Sequence, residues 1–242
     1  MIQHGIPILA EESTELVSLN LQNPKNNMIK KIECFSSLKN APNLKILTLA
    51  RLERISITSI SDYLKDSEGN DLVLASVTAL NLSGNSQNTP QSILSDLRGI
   101  KCFTNLQTLT MNYTSKILDI SAIKECTTLK NVTLGYCNIQ SIDGLESLNN
   151  LQKLTLNNNN ISSLKPLENL KNLEELNLNN NAISDTSSYV DSDGSTKTYN
   201  NLEILANLNK NGKLKKLYLS GNDNIINWLP LSSLKWTDKS GW

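Results

Sequence analysis

LQKLTLNNNNISSLKPLENLKNLEELNLNNNAI, residues 151–183, decides how the rest of the chain is read. Leu151 is followed by Leu154, Leu156, Asn159 and Ile161, then by Leu164, Leu167 and Leu170 at steps of three. At Leu173 the phrase begins again with Leu176, Leu178, Asn181 and Ile183, so the period is 22 residues. A fixed period of this length marks a coiling chain, in which one turn cannot bury its apolar face alone and stacked turns share a core.

The phrase can be followed outward in both directions. Upstream it reads Leu129, Val132, Leu134, Cys137 and Ile139, and before that Leu106, Leu109 and Met111, closing through Ile117, Ile120 and Ile123. Earlier still come Val77, Leu80, Leu82 and Asn85, and then Leu44, Leu47, Leu49 and Leu52, reached through Ile32, Phe35, Leu38 and Ala41. The first turn starts at Leu16, with Leu19 and Leu21, and carries Pro24 where later turns carry Asn, so that turn is expected to be irregular. Downstream stand Leu214, Leu217, Leu219 and Asn222. This pattern, LxxLxLxxN, is that of a leucine-rich repeat.

The eight starts are spaced by 28, 33, 29, 23, 22, 22 and 41 residues. The predicted fold is an α/β solenoid: a curved parallel sheet on the concave side, 3-10 turns and short helices on the convex side. A 22-residue turn leaves little room for a helix, which favours 3-10 geometry. The longer early turns have room for one, for example around Ile93 to Phe103. The polar run DYLKDSEGND, residues 62–71, is expected to bulge from the convex side. The widest spacing hides an insertion, residues 184–200, in which Ser188-Tyr-Val190 and Thr196-Lys-Thr-Tyr199 flank Asp191-Ser-Asp-Gly194 as a β-hairpin does. After it Leu202, Leu205 and Leu208 resume the convex side. Residues 16–227 thus form one domain. Residues 1–15, with Ile6, Ile8 and Leu9, are expected to form an N-terminal cap or the remnant of one. Residues 228–242 hold all three tryptophans, Trp228, Trp236 and Trp242, and are expected to cap the other end.

Within each repeat the central residues form a short strand with alternating side chains. Positions 4 and 6 point inward, and each buried Leu contributes roughly 1.5–3 kcal/mol. Positions 3, 5 and 7 face out on the concave side. Asn at position 9 hydrogen-bonds the turn, meeting backbone groups whose loss would cost about 1–3 kcal/mol each. The 41 leucines and 34 asparagines of the 242 residues therefore have one common cause. Eight strands about 4.8 Å apart give a sheet roughly 34 Å long.

Lys plus Arg and Asp plus Glu are equal at 23 each. Zero net charge argues against nucleic acid, which needs a basic stripe, and against docking on anionic lipid. No apolar run approaches the roughly 18 residues that span a bilayer. The opening MIQHGIPILA has neither a basic start nor a sustained apolar core, and makes a poor signal peptide. Cys126 stands where Leu148 and Leu170 stand, and Cys137 where Asn159 and Asn181 stand, so the two point to different parts of the core. With Cys34 and Cys102 they read as free, mostly buried thiols. No pair has zinc-ligand spacing, His4 is the single histidine, and no metal or cofactor is expected.

The residues from Leu151 to Asp185, and more loosely ILDISAIKECTTL at 117–129, resemble the leucine-rich repeats of bacterial internalins. The likeness is close from about Leu106 to Ile183. It implies protein recognition through the concave face, by a secreted or surface-attached protein.

Candidate contact residues follow from the alternation. Position 5 reads Asn20, Thr48, Asn81, Thr110, Thr133, Thr155, Asn177 and Tyr218, a short uncharged stripe. Thr also suits strands on its own account. Position 8 places Tyr113 and Tyr136 in consecutive repeats, where the rings could stack; tyrosine is enriched at binding hot spots. Charges gather late, at Lys153, Glu174, Glu175, Lys215 and Lys216, with the mixed signs of a solvated rim. Asp191 to Gly194 lacks the downstream Glu of a calcium loop and reads as a turn. Neither a glycine-rich phosphate loop nor a nucleophile with a base at motif spacing is present, which argues against an enzyme. The expected function is therefore a monomeric, non-enzymatic module that binds a partner protein, carbohydrate binding and a spacer role being the alternatives.

Overall fold

The structure is a computed structural model that describes residues 2–3, 6–7, 14–20, 36–50, 59–61, 64–65, 68–84, 94–190 and 193–237. His4, Ile8, Leu9, Leu21, Pro24, Ile32, Cys34, Phe35, Leu52, Asn85, Ile93, Asp191, Ser192 and Trp242, on which several expectations fall, lie outside them.

Two short strands, β1 (Ile2–Gln3) and β2 (Ile6–Pro7), pair antiparallel. The solenoid sheet follows, with β3 (Ser18–Asn20), β4 (Ile46–Thr48), β5 (Ala79–Asn81), β6 (Thr108–Thr110), β7 (Asn131–Thr133), β8 (Lys153–Thr155) and β9 (Glu175–Asn177). An antiparallel hairpin, β10 (Thr186–Val190) and β11 (Thr196–Asn200), leads into helix α1 (Asn201–Lys210); β12 (Lys216–Tyr218) completes the sheet, and α2 (Leu229–Ser232) follows. The eight solenoid strands run parallel in sequence order from β3 to β9 and then β12.

Every strand covers positions 3 to 5 of its repeat, and the register never slips. Leu19, Leu47, Leu80, Leu109, Val132, Leu154, Leu176 and Leu217 are Cα partners along one row. From Leu47 onward this row is buried, as are Leu49, Leu82, Met111, Leu134, Leu156, Leu178 and Leu219 at position 6. Burial of one face fixes register, because a slip of one residue would turn the whole apolar row to water. The backbone pairing continues past the strands. Leu134 N–H donates to Thr155 O at 2.8 Å, and Tyr136 N–H to Asn157 O at 3.1 Å.

Two side-chain ladders meet the backbone groups of the turns. At position 9, Asn159 Nδ2 donates to Leu134 O and Leu156 O at 2.7 and 2.8 Å, while its Oδ1 accepts from Cys137 N and Ile139 N. Asn181 and Asn222 repeat the arrangement one and two repeats on. A second ladder was not foreseen in the sequence. Asn43, Asn105, Asn150 and Asn172 stand just before the first Leu of their repeats and donate to Thr14 O, Ala75 O, Thr127 O and Asn149 O. The asparagine excess thus has more than one cause.

The convex side carries 3-10 turns at Ser36–Asn40, Ile100–Cys102, Ser121–Glu125, Leu145–Ser147 and Lys165–Leu167. The helix expected around Ile93 to Phe103 is not formed from Leu94 onward. Residues 94–99 take no helical form although Leu94, Leu97 and Ile100 are buried, and only Ile100–Cys102 makes a 3-10 turn. Gly99 at φ 88 fixes the break, since a Cβ there would lie 2.7 Å from Ser61 Cα. The α-helix is instead α1, where the widest spacing gives it room. Its Leu202, Leu205 and Leu208 are buried as expected, and Asn200 caps its start by accepting from Leu202 N and Glu203 N.

The hairpin forms where expected, with Val190 opposite Thr196. Its base is held by the buried Asn201 side chain, which donates to Ser162 O and Ser184 O and accepts from Leu164 N. In the polar run, Leu64 is buried and Lys65 pairs with Asp71, whose carboxylate also meets Lys101 at 3.0 Å. The Lys65 and Lys101 ammonium groups hold Asp71 below the usual carboxylate range. Trp228 and Trp236 pack on the end of the core, and Trp236 Nε1 donates to Leu231 O.

Candidate binding face

The position 5 residues named from the sequence are brought into one row by the sheet register. Asn20, Thr48, Asn81, Thr110, Thr133, Thr155, Asn177 and Tyr218 are successive Cα partners. They divide by chemistry. Asn81 Oδ1 accepts from Ser83 N and Asn177 Oδ1 from Asn179 N, both at 3.0 Å, so these amides hold the backbone at position 7. Thr48, Thr110, Thr133 and Thr155 make no side-chain hydrogen bond among the described residues and offer their hydroxyls to the concave space.

Position 3 differs along the row. Ile46 is 45% exposed at one end. At the other, Glu175 lies between Lys153 at 2.7 Å and Lys216 at 3.6 Å, tying three strands together. Such half-exposed pairs contribute little to stability, about 0–1 kcal/mol. They do leave the middle of the face uncharged and its β12 end charged.

Tyr113 and Tyr136 stack, ring centroids 4.7 Å apart at 21°. Both are half-buried, and neither hydroxyl is hydrogen-bonded among the described residues. The backbone beneath them is left-handed, at φ 58 and 59. The same holds one repeat at a time along position 8: Asn158 has φ 57, Asn180 φ 55 and Gly221 φ 72. Asparagine and glycine tolerate this conformation; for other residues it costs about 1–2 kcal/mol. Asn180 Nδ2 donates to Asn158 Oδ1 at 3.1 Å, so the row passes from a ring stack to an amide pair. The run of Asn and Gly at position 8 was the sequence signal for this backbone, and it was missed.

Below the tyrosines, position 9 carries Thr114 and Cys137, both fully buried. Cys137 Sγ donates to Met111 O at 2.9 Å, and Thr114 Oγ1 lies 3.3 Å from it. Neither can do what Asn159 does for four backbone groups. Cys102, Cys126 and Cys137 are free and buried, as expected. Burial pushes all three thiols up, Cys126 to about 11. A thiol held neutral is a poor nucleophile. Among the described residues no cluster of three His, Cys, Asp or Glu could hold a metal, and no helix is long and apolar enough to cross a membrane.

A family model described as leucine-rich repeats (2 copies) matches residues 149–190. No curated protein sequence matches. Solved structures align over most of the chain. Internalin C2 (InlC2) from Listeria monocytogenes has a TM-score of 0.63 and 26% identity, covering 90% of this chain and 77% of that one. An internalin from the same organism, InlF, has a TM-score of 0.59 and 23% identity, covering 93% of this chain and 60% of that one. TLR13, solved as a complex with ssRNA13, has a TM-score of 0.56 at 19% identity, over 90% of this chain and 27% of its own. The molecule is a leucine-rich repeat solenoid. Its repeats are of the internalin-like type, and the chain spans 60% of InlF's length.

Proposed function

We propose that the concave face binds a partner protein, with Tyr113 and Tyr136 as its anchor. Leucine-rich repeats commonly mediate protein–protein interaction. The observation that carries the finer reading is the backbone under the stack. A stacked aromatic pair contributes about 0.5–1.5 kcal/mol, whereas each left-handed tyrosine costs about 1–2 kcal/mol. Stacking alone does not offset that strain. Asn serves the same position in the next two repeats, so the rings answer to something other than folding. Half-buried rings with open hydroxyls, beside the Thr110, Thr133 and Thr155 hydroxyls, suit a desolvated protein contact. Thr48, Asn81, Asn177 and Tyr218 extend the same surface. A protein fits better than a nucleic acid, since the net charge is zero. Residues 228–242 serve to close the end of the solenoid, with Trp228 and Trp236 covering its core.

The test is a protein array run in parallel with a glycan array. We expect protein hits that disappear with Tyr113→Ala plus Tyr136→Ala while the melting temperature stays nearly constant. Unfolding of the double variant would make the pair structural. Glycan hits with a silent protein array would move the face to carbohydrate.

A further inference from the structure

We propose that Asn211 is a site of spontaneous backbone modification, a slow chemical switch at the joint between α1 and the last repeat. Of the 34 asparagines, Asn211 alone is followed by glycine. It is exposed and forms the C-cap of α1, its N–H donating to Asn207 O. Among the described residues, neither its side chain nor the Gly212 N–H makes a hydrogen bond. Glycine at 212 is forced by packing. A Cβ there would lie 2.7 Å from Leu208 O and 3.0 Å from Lys171 O. The fold therefore keeps next to this asparagine the one residue that does not shield its own amide nitrogen with a side chain.

The reaction uses only solvent. The Gly212 nitrogen attacks Asn211 Cγ, a new C–N bond forms, and the Cγ–Nδ2 bond breaks. Nδ2 leaves as ammonia, taking up the proton that the Gly212 amide gives up, and a five-membered succinimide remains. Water then adds to one of its two carbonyl carbons and breaks one ring C–N bond. Opening one way gives aspartate; opening the other gives isoaspartate, whose main chain runs through Cβ. Ring closure requires ψ of Asn211 to leave its value of −2°. An untied, exposed bend permits that swing, and its opening sets the rate.

The consequence falls on the last repeat. Lys213 N–H donates to Lys171 O and Leu214 N–H to Leu208 O, seating the approach to β12. An extra methylene in the main chain at residue 211, two residues before Lys213, displaces both bonds. The new carboxylate also sits at the C-terminal end of α1, where the helix dipole disfavours negative charge.

The experiment ages the folded protein in warm, mildly alkaline buffer and maps its peptides by mass spectrometry that separates aspartate from isoaspartate. We expect Asn211 to convert several-fold faster than the exposed Asn43, with isoaspartate in excess, and Asn211→Gln to remove that product. The aged protein should lose the amide exchange protection of Leu214 before that of Leu154. Conversion of Asn211 no faster than Asn43, or an intact Asn211 while other asparagines change, overturns the proposal.

Discussion

Two halves of the solenoid solve one problem in different ways. From Leu151 onward, position 9 is Asn159, Asn181 or Asn222, and each amide reaches carbonyls of its own and the preceding repeat while accepting from the turn. From Leu106 to Ile139, position 9 is Thr114 or Cys137, which engage Met111 O and each other. The buried Cys126 and Cys137 also lie on this earlier side, where the later repeats carry Leu148 and Leu170 or Asn159 and Asn181. The difference shows that the aliphatic core and sheet register suffice to define the coil. The asparagines then remove the cost of unpaired backbone where they are present.

Asn159→Ala tests this most severely. It strands three backbone groups, Leu134 O, Cys137 N and Ile139 N, while Leu156 O keeps Asn181 Nδ2. At about 1 kcal/mol each we expect a loss of about 3 kcal/mol by urea unfolding; a loss under half of that would make the ladder ornamental. Alkali comes next. The Cys126 thiol titrates at about 11 folded against an ordinary value of 9.0, so the folded chain keeps a proton that the unfolded chain releases. Its contribution is complete below the ordinary value and declines as pH rises from there to about 11. Melting temperatures across that range should fall, and fall less in Cys126→Leu. Cys137→Ala should cost only about 1 kcal/mol, because a thiol makes weak hydrogen bonds; a loss equal to that of Asn159→Ala would erase the contrast between the halves. Tyr136→Asn should change stability least. Lost stacking and relieved strain, each about 1 kcal/mol, nearly cancel, and the array signal should drop while the unfolding midpoint stays.

The concave row was legible because strand side chains alternate and repeats stack in register, so position 5 could be read down the page from Asn20 to Tyr218. The tyrosine pair was legible for the same reason, and spacing alone placed the rings side by side. Their strained backbone was not, since it follows from how the turn leaves the strand. No α-helix forms from Leu94 to Phe103, while one forms at Asn201–Lys210: both segments had the length, but Gly99, left-handed and packed against Ser61, cannot sit inside a helix.

Periodicity in the chain by itself determined the coil, the inward leucines and the shared row of outward residues, because burial in a repeat depends on local spacing. The tertiary structure alone decided which asparagines bear on which carbonyls, that Asn201 pins the hairpin, and that position 8 is left-handed from Tyr113 to Gly221. Those outcomes depend on atoms one repeat or more apart in sequence, where distance and direction are set by stacking and not by the order of residues.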